Sequence, residues 1–185
     1  MRSYSKTHDV TYEKLAQKTV KIAGIIPECV VNGPGGISFT IFAQGCNHRC
    51  DGCHNPGTHD FNRGIDYNLA RLAEEANEYP LADIVTFTGG DPFFQAGSFK
   101  HLASYLKNDG YKLVGYTGYY LEELLKSEDK AKIEFLQKLD LLIDGPFIKD
   151  QRDISLKFRG STNQRIINVN KSLQDESLIL EEKYM

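Results

Sequence analysis

Apolar residues along the chain recur at two spacings, one typical of strands and one typical of helices. Ile37–Phe42 and Ile84–Thr88 are short β-branched or aromatic runs that predict buried strands. Lys21–Val31 predicts an irregular strand, because glycine and proline interrupt it. Further strands are predicted at Lys112–Tyr116 and Leu141–Ile143. Helical spacing marks Asn68–Glu78 and the regions of Leu102, Tyr105 and Leu106, of Leu121, Leu124 and Leu125, and of Ile133 and Leu136. The first 20 residues are polar, with only weak helical periodicity.

The order of these elements indicates the fold class. Strands that alternate with helices form βαβ units, which build a mainly parallel sheet with right-handed crossovers. The chain has room for five or six strands, whereas a closed eight-stranded β/α barrel typically takes about 250 residues. We therefore expect an α/β fold with an open, partial β/α barrel. One domain should span residues 1–185, with a core from about residue 20 to about residue 170 between polar extensions.

Length and composition narrow the class of protein. The 185 residues are 41% hydrophobic and 25% charged, with a net charge of −3, which excludes a disordered or collagen-like chain. The 22 basic residues are dispersed among 25 acidic ones, so no basic surface predicts direct nucleic-acid binding. No apolar run approaches the roughly 18 residues of a membrane helix, and the polar N-terminus lacks the apolar stretch of a signal peptide. We expect a cytoplasmic protein without membrane contact.

Three of the four cysteines fall in one short loop that directly follows the strand Ile37–Phe42. Cys46, Cys50 and Cys53 have the spacing Cys-x3-Cys-x2-Cys. Clustered thiols in a reducing compartment are more often metal ligands or catalytic groups than disulfide partners. Three thiolates can hold three corners of a cubic iron–sulfur cluster, and the missing fourth ligand leaves one iron open to a substrate or cofactor. Cys29 stands apart in an apolar strand, where a cysteine is more often a small buried hydrophobe than a fourth ligand.

A structural zinc site is the alternative interpretation of this loop. Zinc prefers four closed ligands, and His48, His54 or His59 would complete a set of three cysteines and one histidine. The spacing favours the cluster, because no second Cys-x2-Cys pair follows at the distance of a zinc ribbon. The corresponding function would be a zinc-stabilised binding module without catalysis.

Gly89 and Gly90 end the strand Ile84–Thr88 in the sequence Gly-Gly-Asp-Pro. The carboxyl ends of parallel strands meet at one edge of a sheet, where ligands bind in open α/β folds. These glycines should therefore lie beside the cysteine loop, where glycine lets the backbone approach a ligand closely. Short glycine motifs are also common in ordinary turns, so the segment alone does not decide between the two.

The cysteine loop resembles that of the radical S-adenosylmethionine enzymes, and four further segments are similar to the activating proteins of anaerobic ribonucleoside-triphosphate reductase. The segments follow the order of that family over about Ile22 to Val169. They are Val31–Gly35, Thr88–Pro92, Tyr116–Tyr119, and a two-part segment made of Asp144–Phe147 and Ser155–Arg165. The second part, SLKFRGSTNQR, is the most specific to this family.

The resemblance implies a [4Fe–4S] cluster on Cys46, Cys50 and Cys53, with S-adenosylmethionine on the open iron, in a partial barrel of the radical S-adenosylmethionine type. One electron from the reduced cluster would cleave the cofactor to methionine and a 5′-deoxyadenosyl radical. That radical would take a hydrogen atom from a glycine of the reductase and leave a glycyl radical. The implied partners are the glycine loop of the large reductase subunit, for which a short barrel leaves one side wide, and a flavodoxin- or ferredoxin-like reductant.

The resemblance also implies a set of cofactor-binding residues. They are Gly52, Cys53, His54, Gly89, Gly90, Asp91 and Asp144. The stretch around Cys53 would lie against the adenine, although a solvated loop histidine is an equal interpretation of His54. The Gly-Gly-Asp segment would hold the methionyl group, and Asp144 would contact polar groups of the cofactor or a bound cation. Arg159 and Asn163 would shape the partner-docking surface, close the site, or belong to an ordinary surface loop.

One position departs from the family pattern. The family usually has Gly-Pro-Gly-x-Arg before the first barrel strand, but here Ile37 takes that place, or Ser38 if Gly36 is an insertion. Any anionic contact of that arginine is lost or supplied elsewhere. The nearest alternative function is the activation of a different glycyl radical enzyme, or another small radical S-adenosylmethionine reaction. Activases of the pyruvate formate-lyase type are usually longer and lack a segment like SLKFRGSTNQR.

Overall fold

Seven strands form a single sheet in the computed structural model, which describes residues 11–184. In chain order they are β1 (Thr19–Cys29), β2 (Ser38–Ala43), β3 (Ile65–Asn68), β4 (Ile84–Gly89), β5 (Lys112–Tyr116), β6 (Leu141–Asp144) and β7 (Arg165–Asn168). The order across the sheet is β3-β1-β2-β4-β5-β6-β7. The pairings among β2, β4, β5 and β6 are parallel. The pairings that add β1, β3 and β7 are antiparallel. The fold is therefore mixed α/β, as the sequence predicts.

The two outermost strands, β3 and β7, are not predicted from the sequence. The predictions of five or six strands and of a mainly parallel sheet are therefore wrong. β3 has no buried residue and β7 has only two, Ile166 and Ile167, whereas the equally short β6 is buried throughout and shows a clear apolar run. The irregular first strand is confirmed, since the pairing of β1 with β2 shifts register between Ile22 and Gly24 and again between Ile26 and Cys29. Within residues 11–184 no pairing joins β3 to β7, so the sheet has two free edges.

The described residues contain six α-helices. They are α1 (Tyr12–Ala16), α2 (Leu69–Glu78), α3 (Ala96–Asn108), α4 (Leu121–Leu125), α5 (Lys130–Leu136) and α6 (Val169–Gln174). Helices α2 to α5 lie where apolar spacing predicts them. The side chain of Asn68 starts α2, because its oxygen accepts hydrogen bonds from the backbone N–H groups of Ala70 and Arg71 at 2.9 and 3.2 Å. The weak periodicity of the N-terminal region becomes the short α1.

Alternate residues of β4, β5 and β6 face two different cores. In β4, Val85 and Phe87 join the larger core beneath the helices, whereas Ile84 joins a smaller core on the other face. Aromatic rings pack against one another in the larger core, where the ring centroids of Phe87 and Phe135 are 5.2 Å apart. The smaller core ends towards the carboxyl edge of the sheet, where Tyr116 packs against it. This face leads to the site described below.

Residues 1–10, on which the prediction about a signal peptide rests in part, lie outside the described residues. The longest helix in residues 11–184 is α3, with 13 residues. None of the helices in that range has the length and apolar character needed to cross a bilayer.

Candidate functional site

The cysteine loop, residues 45–55, starts directly after β2 and is closed at its base by two backbone hydrogen bonds. Gly45 N–H donates to the carbonyl of Thr58 at 2.7 Å, and Cys46 N–H donates to that of His59 at 3.2 Å. The loop is therefore held by the chain that leaves it as well as by the strand that precedes it.

The end of β4 packs directly against the start of this loop. Gly90 N–H donates to the carbonyl of Ala43 at 2.7 Å, and Asp91 N–H donates to that of Gly45 at 3.0 Å. A Cβ on Gly90 would lie 2.5 Å from the carbonyl oxygen of Gly45, and Gly89 has a φ of +98°. Both positions thus need glycine for the approach of two backbone segments within the chain. The sequence predicts glycine here because the backbone approaches a ligand closely. The structure adds a second reason, which is the close packing of β4 against the cysteine loop.

A cavity of about 500 Å³ opens at the carboxyl edge of the parallel strands. We call it the cysteine cavity, because Cys46, Cys50 and Cys53 all line it. Of the other predicted residues, His54, Gly89 and Gly90 line it as well. Phe42 and Thr88, which are partners in the register of β2 and β4, form part of the wall, and Tyr116 at the end of β5 extends it. The expected meeting of strand ends and cysteine loop is therefore present.

The three thiols are free and differ in exposure. Cys46 is buried, whereas Cys50 and Cys53 are half-buried. Burial raises the pKa of the Cys46 thiol to about 11, and the nearby Asp91 carboxylate adds to this, while the backbone N–H groups of His48 and Arg49 act in the opposite direction. The sulfur of Cys53 accepts a hydrogen bond from the N–H of Asn55 at 3.4 Å. Backbone donors aimed at sulfur stabilise thiolates, the form that binds a metal.

This donor set fits an iron–sulfur cluster with one open iron. Within residues 11–184 no group of three or more His, Cys, Asp or Glu side chains is arranged to hold a single metal ion. A [4Fe–4S] cluster takes each cysteine on a different iron, so its thiolates surround it rather than converge on one point. Cys29 lies in β1 and does not line the cavity. Three thiols around an open cavity are what such a cluster requires.

The histidines considered for zinc have other surroundings. His48 Nε2 lies 2.8 Å from Asp91 Oδ2. The His54 ring lies 5.3 Å from that of Phe147. His59 lines a different cavity, and its buried Nε2 has no hydrogen-bond partner there. None of the three is placed with the thiols as a zinc ligand in residues 11–184.

Asp91 is buried behind the cavity wall and does not line it. Its Oδ2 accepts hydrogen bonds from His48 Nε2, Thr117 Oγ1 and the N–H of Gly118 at 2.8, 2.8 and 3.0 Å. Its Oδ1 accepts one from the N–H of Phe93 at 2.9 Å, which begins the turn that leads into α3. Asp91 therefore ties the cysteine loop to the ends of β4 and β5.

Asp144 is also buried and outside the cavity lining. Arg165 holds it with two hydrogen bonds, from Nε at 3.0 Å and from Nη2 at 2.5 Å, and the N–H of Leu121 donates to it at 2.8 Å. Burial raises the pKa of Asp144, and the bonds from Arg165 and Leu121 act against that rise. Glu122 holds the other side of the same guanidinium. Asp144 thus fastens β6 to β7 and to the start of α4.

The two parts of the family-specific segment fold onto each other. Asn163 Nδ2 donates to the carbonyl of Pro146 at 2.8 Å, and Gln164 Nε2 donates to that of Gly145 at 3.0 Å. Asn163 is therefore a residue that joins the two parts, and it does not line the cavity. Arg159 does line it. Gly52 lies outside the lining, near the side chains of Phe147 and Lys149.

Neither residue at the position of the family arginine faces the cavity. Ile37 packs against the larger core. Ser38 is fully buried in β2, where its hydroxyl bonds to those of Thr40 and Thr86 at 2.8 and 2.9 Å. An arginine contact from this position is therefore absent, and a cation in the cavity must come from elsewhere in the chain.

Comparison with known proteins identifies the family. The model of a family described as a 4Fe-4S single cluster domain matches residues 31–167. An anaerobic ribonucleoside-triphosphate reductase-activating protein of Escherichia coli strain K12 is 32% identical over 146 residues, covering 75% of this chain and 92% of the relative. The chain belongs to this family of activating proteins. The match to a cluster domain also favours iron and sulfur over zinc as the content of the cysteine cavity.

Other relatives agree with this assignment, and one solved structure is similar in fold. Activating proteins of the same name from Vibrio cholerae serotype O1 and Enterobacteria phage T4 are 34% and 33% identical over 153 and 151 residues. They cover 76% and 77% of this chain, which spans 92% and 90% of their own length. The crystal structure of QueE from Escherichia coli is similar with a TM-score of 0.50 at 17% identity, over 60% of this chain and 57% of that one. At this identity the similarity applies to the fold alone.

Several residues of the cavity wall are not among those predicted from the sequence. Phe147 and Phe158 line it from the two parts of the family-specific segment. Phe42, Thr88 and Tyr116 line it from strand ends, where their alternation with core residues was a usable signal. Burial raises the pKa of Tyr116 far above its ordinary value, so its hydroxyl stays neutral. Arg159 has three interpretations in the sequence, one of which is to close the site, and it does line the cavity. Local spacing could not choose among them, because the course of its loop follows from tertiary contacts.

Proposed function

We propose that the protein is a radical S-adenosylmethionine activase that installs a glycyl radical on anaerobic ribonucleoside-triphosphate reductase. The observation that carries this proposal is the arrangement of Cys46, Cys50 and Cys53 with Gly89 and Gly90 around one cavity. The chain's membership of a family of reductase-activating proteins supports the same reaction and the same partner.

Cys46, Cys50 and Cys53 would hold a [4Fe–4S] cluster through three of its irons. When bound and reduced, the cluster with S-adenosylmethionine supplies a one-electron cleavage that generates a carbon radical able to take a hydrogen atom from glycine. The protein's part is to place the thiols and to exclude other reactants. Burial of Cys46 and the closed base of the cysteine loop serve the first of these tasks.

The walls of the cavity indicate where S-adenosylmethionine would lie. Gly89 and Gly90 would lie against the methionyl group, because the end of β4 lies next to the cysteine loop. His54 and Phe147 both line the cavity with their ring centroids 5.3 Å apart, and their aromatic rings would pack against the adenine. Gly52 would act beside them by shaping the turn before Cys53, where its φ is +74°.

Asp91 and Asp144 would support this site from behind. Both carboxylates are buried and bound to donors of the protein itself. We therefore assign Asp91 to holding the cysteine loop, and Asp144 to holding β6 and β7, instead of assigning them a direct contact with the cofactor.

The open sheet suits a large partner. We propose that residues 1–185 act as one radical S-adenosylmethionine domain, in which the sheet forms an open, partial barrel. Val31 lines the cavity and is 67% exposed, so it lies at the mouth. The glycine loop of the reductase's large subunit would enter there. A flavodoxin- or ferredoxin-like protein of the cytoplasm would supply the electron.

The test is anaerobic reconstitution of the protein with iron and sulfide, followed by reduction and addition of S-adenosylmethionine. We expect cleavage to 5′-deoxyadenosine, and a doublet from a glycyl radical in electron paramagnetic resonance when the reductase of the same cell is added. Cys46→Ala, Cys50→Ala and Cys53→Ala should each abolish cleavage, whereas Cys29→Ala is the matched control that should retain it. Stoichiometric zinc without iron or sulfide in anaerobically purified protein would refute the proposal.

A further inference from the structure

Arg159 is the one permanent cation that the described part of the chain places in the wall of the cysteine cavity. Within residues 11–184, no other arginine or lysine lines this cavity, and no aspartate or glutamate does. Arg159 also forms no ion pair within those residues. A positive charge faces a cavity whose wall carries no compensating acid.

The guanidinium of Arg159 is only partly satisfied by the chain. Its Nη1 and Nη2 donate to the carbonyls of Gln164 and Tyr184, both at 3.4 Å, which is long for an N–H···O hydrogen bond. Its Nε is buried and has no hydrogen-bond partner among residues 11–184. Buried donors in folded proteins almost always have an acceptor. The described residues therefore satisfy this guanidinium incompletely, because its Nη donors make only long bonds and its Nε makes none.

The segment around Arg159 is held rigidly enough to present this group. The preceding residue, Phe158, has a φ of +59°, and its ring packs edge-on against Tyr184 at 5.5 Å. The following residue, Gly160, donates its N–H to the side chain of Gln164 at 2.8 Å. Contacts on both sides thus hold the backbone of Arg159 at the cavity wall.

The chemistry of the acceptor follows from that of guanidinium. Arginine pairs most strongly with carboxylates and phosphates, through charge-assisted hydrogen bonds. S-adenosylmethionine carries one carboxylate and no phosphate. We propose that Arg159 binds the carboxylate of the methionyl group of S-adenosylmethionine, an assignment that rests on the proposed function. A carboxylate has two oxygens, so one can accept from Arg159 while the other chelates iron.

The departure from the family pattern agrees with this assignment. The arginine that usually follows Gly-Pro-Gly is absent, and Ile37 and Ser38 both face the interior of the protein. That position therefore supplies no cation to the cavity, whereas Arg159 does.

The test measures binding instead of turnover. Equilibrium dialysis under anaerobic conditions gives the affinity of the reconstituted, oxidised protein for three ligands. S-adenosylmethionine and S-adenosylhomocysteine both carry the carboxylate, whereas decarboxylated S-adenosylmethionine lacks it. The variants are Arg159→Gln, Arg159→Lys and, as the matched control, Arg152→Gln, an exposed arginine of the same region. Iron content and the midpoint of thermal unfolding show that each variant is folded and loaded.

We expect Arg159→Gln to bind both carboxylate-bearing ligands about 10- to 100-fold more weakly, the loss typical of one charge-assisted hydrogen bond. Its affinity for the decarboxylated ligand should equal that of the wild type. Arg159→Lys should recover part of the loss, and Arg152→Gln should show none. An equal loss for all three ligands, or no loss for any, would overturn the assignment of Arg159 and leave the proposed function standing. A wild-type protein that assembles the cluster but binds no S-adenosylmethionine would overturn both.

Discussion

Asp91 Oδ2 accepts a hydrogen bond from His48 Nε2 at 2.8 Å, which joins the end of β4 to the middle of the cysteine loop. The His48 ring sits between Cys46 and Cys50 in sequence, and it packs edge-on against Tyr119 at a centroid distance of 4.6 Å. Asp91 is 1% exposed and binds Thr117 and Gly118 through the same oxygen. One buried carboxylate therefore fixes three segments that surround the cavity.

Asp91→Asn should destabilise the protein and its cluster site. The carboxylate accepts donors at both oxygens, so an amide must turn its NH2 group towards at least one N–H or O–H. We expect the free energy of unfolding of the cluster-free protein to fall by about 1–3 kcal/mol. Urea unfolding measures this, and iron content after anaerobic reconstitution should fall in parallel. Asp150→Asn, at an exposed position, is the control.

A double-mutant cycle tests whether His48 and Asp91 act together. His48→Ala removes one donor from the carboxylate as well as the ring contact with Tyr119. Because the pair is in direct contact, we expect the effects of His48→Ala and Asp91→Asn on unfolding free energy to depart from additivity by about 0.5–3 kcal/mol. Additive effects would mean that the hydrogen bond contributes little to holding the loop.

Gly90→Ala should damage the site through backbone displacement. The new Cβ would lie 2.5 Å from the carbonyl oxygen of Gly45 and 3.0 Å from that of Thr58, neither of which is a flexible side-chain end. We expect a loss of about 1–3 kcal/mol in unfolding free energy, with reduced iron loading. Gly97→Ala is the control, because nothing lies within 4 Å of its added methyl group. In α3 that change should stabilise by up to about 1 kcal/mol.

The sequence predicted the parts of the fold that repeat a local pattern. β2, β4, β5 and the helices α2 to α5 follow from apolar spacing, because each has one face in a core. β3 and β7 did not follow, because β3 buries none of its residues and β7 buries only two. Their pairing partners lie far away along the chain for β3 and across a loop for β7. Antiparallel edges are decided by tertiary contacts that local spacing does not encode.

The cavity shows the same division. The cysteines and the glycines of β4 were found by spacing and strand position, because parallel strands bring their carboxyl ends together. The separation of Asp91 and Asp144 from the cavity lining could not be predicted, since it depends on His48 and Arg165 folding back onto them. An acidic residue at a strand end looks the same in sequence whether it faces a ligand or a neighbouring loop.

Arg165→Gln should lower the free energy of unfolding, because it leaves the carboxylate of Asp144 buried without its charged partner. Asp144 is fully buried, and Arg165 supplies two of its hydrogen bonds. We expect a loss of about 3–5 kcal/mol near neutral pH, measured by urea unfolding. Glu122→Gln, which removes the exposed partner of the same guanidinium, should cost less than about 1 kcal/mol.

The pH dependence of Arg165→Gln provides a second readout. Burial raises the pKa of Asp144, and Arg165→Gln removes the positive charge that acts against this rise. When the pKa of a carboxyl group is higher in the folded protein than in the unfolded one, the free energy of unfolding falls as the pH rises through the folded pKa. The deficit of the variant should therefore be smaller at about pH 5 than at about pH 8. A deficit that is constant or larger at the acidic pH would contradict the assignment of an unpaired buried acid.

Removal of the cluster should leave the fold in place. The larger core contains none of the three loop cysteines, and the base of the loop is held by hydrogen bonds from Gly45 and Cys46 to the chain beyond it. Asp91 also reaches the loop through His48 without any metal. Chelation of iron under air should therefore abolish the visible absorption of the cluster while the far-ultraviolet circular dichroism and a cooperative unfolding transition persist. Small zinc modules unfold when their metal is removed, so collapse of the transition on chelation would indicate that the cluster, and not the sheet, organises this protein.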